Sequence, residues 1–228
     1  MQLNLSQREG EKKMKLSKYI DHTLLKADAS KAAIEKLCDE AIEYDFKSVC
    51  VNTCNIPLCK EKLAGSDVLV CCVIGFPLGA MSTEAKVAET QDAVAKGADE
   101  VDMVINIGRL KDNDLDYVTD EIAQIKKACG DKTLKVIIET CLLTDEEKVK
   151  ACECILKAKA DFVKTSTGFS TNGATFEDVT LLKKTVGDRC FIKAAGGVRS
   201  KEDFAKMIEL GANRIGTSSG TKLIEKGE

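Results

Sequence analysis

Lys164 in DFVKTSTGF and Lys193 in CFIKAAGGVR stand late on two successive predicted strands, and each runs at once into a loop of small residues. A lysine at the mouth of a sheet is partly desolvated, and in its neutral form its amine attacks a carbonyl carbon to give a Schiff base. Protonation is the obstacle: from the ordinary lysine value of ~10.4, about one amine in a few thousand is neutral at pH 7. Bringing that value to about 7 corresponds to ~4 to 5 kcal/mol of differential interaction, which a second ammonium and partial burial supply. Two adjacent lysines therefore point to Schiff-base chemistry. The remaining catalytic vocabulary is Asp, Glu, Ser, Thr and Cys, because His22 is the single histidine and no C-x-x-C pair occurs. Neither a metal site nor a cofactor is expected.

Those lysines need elements to aim them. Short β-branched runs alternate with longer segments of helical period along the chain. The predicted strands are Tyr19–His22, Ser48–Asn52, Val68–Ile74, Glu100–Asn106, Leu134–Thr140, DFVKTS, FIKAA and RIGTS. A first helix starts near Asp28 or Ser30, with Ile34, Leu37, Cys38, Ala41 and Ile42 on one face. Ser82, Thr144 and Ser200 are placed to cap later helices, and Gly97 and Gly211 to end them. Eight strand-helix units without a composition break describe a single (β/α)8 TIM barrel over residues 15–228, after a short N-terminal leader, 1–14, expected to be mobile. Periodicity does not count closure, so an open doubly wound sheet is the alternative.

Alternation along a strand fixes which residues meet inside. In EVDMVIN it turns Val101, Met103 and Ile105 toward the helices and Glu100, Asp102, Val104 and Asn106 toward the axis. By the same parity Phe162, Lys164 and Ser166 point inward, as do Phe191, Lys193 and Ala195. With strands about 4.8 Å apart, the two ammonium groups approach each other closely, and Asp102 joins them as a proton relay. For Asp102 alone a plain salt bridge explains the position equally well. Two lysines beside one carboxylate leave a cation over, which favours function.

Sites in such barrels lie at the C-terminal ends of the strands, with phosphate held after strands seven and eight. Here those loops are AAGGVRS and IGTSSGT. Gly196 and Gly197 let amides approach an anion, Ser218 and Ser219 open a short helix, and Thr167 and Gly168 add donors. Asp21, with His22 and Thr23, ends the first strand, where it either binds substrate hydroxyls or caps the strand. Cys50 is a pocket residue or a small core residue. GFPLG at Gly75–Gly79 reads as a turn, and Glu139, closing strand five, as a hydrogen-bond acceptor behind the site.

Composition narrows the class. The chain has 228 residues, 44% hydrophobic, and a formal net charge of -3 with a pI near 5.5. With three tyrosines, seven phenylalanines and no tryptophan it offers neither a basic stripe nor a stacking surface for nucleic acid. No apolar run approaches the ~20 residues that cross a bilayer, and the opening MQLNLSQREGEKK lacks a signal-peptide core. Eleven cysteines fall mostly within predicted elements, as in a reducing compartment, so a cytoplasmic protein is expected.

YIDHTLLK, SVCVN, GFPLG, EVDMVINIG, KVIIET, FVKTSTGF, IKAAGGVR and RIGTSSG together resemble the deoxyribose-phosphate aldolase family, class I aldolases of the (β/α)8 type, over roughly Lys15 to Glu225. The resemblance implies that Lys164 forms the Schiff base, that Lys193 tunes it and relays protons, and that Asp102 works with Lys193. It implies phosphate contacts from Gly168, Gly196, Gly197, Gly216, Ser218 and Ser219, and substrate contacts near Asp21, Cys50 and Thr167. The implied reaction is reversible cleavage of 2-deoxy-D-ribose 5-phosphate to D-glyceraldehyde 3-phosphate and acetaldehyde in deoxynucleoside breakdown, by a homodimer or larger homo-oligomer without metal. A Schiff-base aldolase for another sugar phosphate or keto acid, and a catalytically silent sugar-phosphate binder, are the alternatives. The chain departs from the family pattern in carrying Phe169 where some members have lysine and Thr53 where many have proline. It also lacks a C-terminal tyrosine, ending TKLIEKGE.

Overall fold

The computed structural model describes residues 15–228; the segment 1–14, expected to be a mobile leader, lies outside the described residues. Strands β1 (Ile20–Leu24), β2 (Ser48–Asn52), β3 (Leu69–Ile74), β4 (Glu100–Val104), β5 (Thr133–Ile137), β6 (Phe162–Lys164), β7 (Phe191–Ala195) and β8 (Arg214–Thr217) pair in parallel, each with the next. β8 closes on β1, with Asp21 opposite Gly216 and His22 opposite Thr217, so the sheet is a barrel and not an open sheet.

Around it run α1 (Lys31–Glu43), α2 (Ile56–Lys62), α3 (Thr83–Ala95), α4 (Ile107–Lys111), α5 (Leu115–Cys129), α6 (Asp145–Lys157), α7 (Phe176–Val186), α8 (Lys201–Glu209) and the single turn α9 (Gly220–Leu223). Among the described residues no helix is long and apolar enough to cross a membrane.

Local chemistry explains the boundaries. The side chains of Ser30, Ser82, Thr144 and Ser200 each accept a hydrogen bond from the amide three residues on, and Thr144 with Glu147 completes a reciprocal capping box. Each such cap contributes about 0.5 to 2 kcal/mol. Gly97 and Gly211 follow α3 and α8 with φ of 101° and 111°.

Strands four and five end earlier than their apolar runs suggest. Asn106 leaves the sheet because its side chain caps α4 through the Arg109 amide, and Glu139 turns into the left-handed region at φ 55°. On α1, Ile34, Leu37, Cys38 and Ala41 are buried as expected, but Ile42 is 43% exposed. It stands about 80° around the helix from Ile34, off the edge of the buried stripe.

The barrel interior carries charge as well as hydrocarbon. Arg214 donates from Nη1 and Nη2 to the two oxygens of Glu100 at 3.0 and 2.8 Å, and from Nε to Asp21 Oδ1 at 2.7 Å. Ser48 donates to the same Asp21 oxygen at 2.8 Å. Lys135 spans upward from Glu100 Oε2, 2.6 Å, to Asp102 Oδ1, 2.9 Å. Burial disfavours the charge on each of these groups, but the partners outweigh it. Lys135 and Arg214 hold the Glu100 carboxyl below the usual range, and Arg214 and Lys193 do the same for Asp21. The Arg214 guanidinium is in turn held above its ordinary value by Asp21 and Glu100.

A second buried pair fastens the strand that bears Asp102. Lys86 on α3 meets Glu121 on α5 at 2.8 Å, with neither side chain exposed. Lys86 also donates to the Val104 carbonyl at 2.8 Å, and Glu121 accepts from the Asn106 amide at 3.1 Å, so both helices grip the end of β4. Burial pulls the Lys86 pKa down and pushes that of Glu121 up, each against its partner.

Two stability outcomes follow. Glu121→Ala strands a buried ammonium and is expected to cost about 3 to 5 kcal/mol in urea unfolding, whereas the paired Lys86→Met/Glu121→Leu change costs less; equal losses would contradict this. Glu100 and Asp21 titrate lower in the fold than in the unfolded chain, so their contribution is complete above about pH 5 and lost progressively as pH falls below the unfolded value near ~4. The urea midpoint should therefore hold between about pH 5 and 7 and drop steeply below about pH 4; a midpoint that stays level into acid would oppose that assignment.

Candidate active site

Lys164 ends β6 and stands directly beside Lys193 of β7 in the sheet register, while Asp102 of β4 faces both from across the interior. Asp102 Oδ2 accepts from Lys164 Nζ at 2.8 Å and from Lys193 Nζ at 2.7 Å. Its other oxygen takes Lys135, so one carboxylate holds three ammonium groups. Lys193 also meets Asp21 Oδ2 at 2.6 Å. The sequence pictures ammonium against ammonium; the structure places a carboxylate oxygen between them.

Electrostatics follow from that arrangement. Burial opposes the charge on Asp102, but Lys135, Lys164 and Lys193 outweigh it and hold the carboxyl well below the usual range. Burial likewise opposes the charge on Lys193, and Asp102 with Asp21 more than compensates, keeping its pKa above the ordinary lysine value. Lys135 is held up in the same way, by Asp102 and Glu100. Around these groups stand the cations Lys135, Lys164, Lys193 and Arg214 and the anions Asp21, Glu100 and Asp102. The cluster carries one more cationic group than carboxylates, and it is neutral when one of them lacks a proton.

Lys164 is the member that reaches open space. It lies at the floor of a cavity of about 360 Å³ bounded by Thr167, Gly168, Gly196, Gly197, Gly216, Ser218 and Ser219, with Thr23, Lys26, Phe169 and Arg199 around the rim. Lys193 and Asp102 are sealed beneath it. Gly216 owes its identity to Lys193: a Cβ there would stand 3.1 Å from Lys193 Cε and 3.0 Å from Ala195 Cβ.

Hydrogen bonds hold the rim. Glu139 accepts from the Thr167 amide at 3.1 Å and from its hydroxyl, and Thr167 Oγ1 accepts the Phe169 amide at 3.0 Å. Thr217 Oγ1 donates to the Val198 carbonyl at 3.2 Å and accepts the Ser219 amide at 3.0 Å, tying the seventh loop to the eighth.

Three residues singled out near strands one and two lie away from this cavity. Asp21 is fully buried on Arg214 and Lys193, a layer below the mouth. His22 turns outward, with Nε2 2.7 Å from Glu40 of α1 and its ring against Phe46. Cys50 is fully buried among Leu25, Cys71 and Val73.

Hydrogen bonding with Cys71 pulls the Cys50 thiol down to about 7 against burial, while burial and that same contact push Cys71 up. The ligand atoms of Cys50, Cys71 and Asp102 lie within 4.8 Å of one another. Both Asp102 oxygens are occupied by lysines, however, so a cation there would face three ammonium groups. This trio does not suit a metal ion.

Lys135 and Arg214 complete the cluster, although the pattern around Lys164 and Lys193 does not point to them. The signal was present: Lys135 in LKVIIET and Arg214 in RIGTS are charged residues at inward parity of their strands.

Residues 15–224 match the model of the DeoC/LacD family aldolases. A deoxyribose-phosphate aldolase of Finegoldia magna is 63% identical over 212 residues, 93% of this chain and 100% of the relative. One from Brevibacillus brevis is 61% identical over 211 residues, 92% and 96% of the two chains. Among solved structures, the aldolase QR15 superposes with a TM-score of 0.87 at 43% identity, covering 91% of this chain and 93% of its own. The tetrameric deoxyribose phosphate aldolase of Aeropyrum pernix gives 0.81 at 33% identity, covering 91% and 88%. A barrel with paired inward lysines on β6 and β7, matched along nearly its whole length by these proteins, places the chain in the DeoC/LacD family of aldolases.

Proposed function

We propose that the protein catalyses the reversible cleavage of 2-deoxy-D-ribose 5-phosphate to D-glyceraldehyde 3-phosphate and acetaldehyde through a Schiff base on Lys164. The observation that carries this reading is the placement of Lys164 Nζ at the cavity floor, hydrogen-bonded to the Asp102 oxygen that also binds Lys193. The activity carried in the names of the relatives supports the choice of substrate.

In the proposed sequence the free amine of Lys164 adds to the C1 carbonyl of the open-chain sugar, and the carbinolamine loses water to give an iminium. The iminium accepts the electron pair of the C2–C3 bond as the 3-hydroxyl gives up its proton, releasing glyceraldehyde 3-phosphate. The remaining enamine takes a proton at carbon, and water hydrolyses the imine to acetaldehyde. Lys193 and Asp102 hold and pass the protons, and Asp102 also orients Lys164. The electron sink is the iminium itself, so no metal or organic cofactor enters.

Amides of the loops at Gly168, Gly196, Gly197 and Ser218–Ser219 face the substrate phosphate, while Thr167 meets the sugar. Asp21 and Cys50 act from beneath, through Lys193 and through the packing under the cavity. We place this reaction in cytoplasmic deoxynucleoside breakdown, in a homo-oligomer.

Borohydride reduction in the presence of acetaldehyde should fix a covalent adduct that peptide mapping assigns to Lys164, and a chelator should leave the cleavage rate as it was. An adduct on another lysine, or activity lost to EDTA and restored by a divalent ion, would refute the scheme. Asp102→Asn should lower kcat by about 10²-fold or more, in the range of acid-base effects, while still binding inorganic phosphate; near-normal turnover would exclude Asp102 from the reaction.

A further inference from the structure

The walls of the cavity are electrostatically one-sided: Lys26, Lys164 and Arg199 line it and no carboxylate does. Lys26 and Arg199 are exposed, and among the described residues neither forms an ion pair. Lys164 is engaged by Asp102, which leaves these two rim cations to meet an anionic ligand.

Their positions differ. Arg199 follows Gly196 and Gly197 on the loop after β7 and approaches from the same side as the glycine amides. Lys26 stands two residues past the end of β1, and barrel closure sets β1 beside β8, with His22 opposite Thr217. The loop holding Lys26 therefore borders Ser218 and Ser219 from the other side. The wall after β6 offers no cation, because Phe169 sits there edge-on to Phe76 with ring centroids 5.2 Å apart. A phosphate monoester carries about -1.5 to -2 charges near neutral pH, more than one guanidinium balances.

We propose that Lys26 is a specificity-determining residue, binding the phosphate of an aldose phosphate across the seam between β8 and β1 and so setting the preference for phosphorylated over neutral sugars. This rests on the function proposed above. In this placement Lys26 meets the phosphate and not the reacting carbons, so its effect falls on KM and on discrimination, with kcat bearing less of it.

The test compares wild type, Lys26→Ala and Lys26→Arg on 2-deoxyribose 5-phosphate and on 2-deoxyribose. In Lys26→Ala the ratio of kcat/KM for the phosphorylated over the neutral sugar should fall about tenfold, through KM, as for loss of one charge-assisted contact. Lys26→Arg should retain most of the ratio. A ratio unchanged in Lys26→Ala, or equal losses on both sugars, would overturn the proposal. Titration with inorganic phosphate separates this inference from the functional reading. If wild type cleaves no deoxyribose 5-phosphate, that reading falls, and phosphate affinity unaltered by Lys26→Ala would overturn the role of Lys26 independently.

Discussion

One carboxylate, Asp102, organises the interior: through two oxygens it holds Lys135, Lys164 and Lys193, drawn from three different strands. Removing so many charges from water costs several kcal/mol per ion unless each finds a partner. The partners are arranged so that the cost is met for every group below the mouth. Arg214 sits on Asp21 and Glu100, Lys135 on Glu100 and Asp102, and Lys193 on Asp102 and Asp21. Only Lys164 has a single carboxylate contact and an open side. Lys164 is thus the member of the cluster that faces the cavity, which is why the proposed Schiff base is placed on it.

The fold serves this by rigidity at both ends of the relevant strands. β4 is pinned where it leaves the barrel by the buried Lys86–Glu121 pair on α3 and α5, which takes up the backbone groups of Val104 and Asn106. β6 is only three residues long, yet its loop is held by Glu139 through Thr167, and the loops after β7 and β8 are joined through Thr217. The lack of a side chain at Gly216 leaves the stem of Lys193 room to reach Asp102 and Asp21 together.

The sequence made the skeleton of this arrangement readable because strand parity is unforgiving. Once EVDMVIN, DFVK and FIKAA are strands, Asp102, Lys164 and Lys193 must share an interior, and the register confirms it. Closure was not readable, since it depends on β8 meeting β1, a contact that no local period encodes. Nor was the depth of a residue along the axis. Asp21 and Cys50 have the parity of site residues but are sealed beneath the cavity, Asp21 against Lys193 and Cys50 against Cys71, and Lys135 and Arg214 share that parity with partners far away in sequence. His22 failed for the opposite reason: on its strand it faces the helices, where Glu40 is waiting.

Neutron diffraction from perdeuterated crystals at neutral pH, with no ligand bound, tests the central claim most directly, since it counts deuterons on each nitrogen and oxygen of the cluster. The account predicts three on Lys135, three on Lys193 and none on Asp102, as for a carboxylate that holds the lysines around it. A deuteron resident on Asp102, or fewer than three on Lys135 or Lys193, would contradict it.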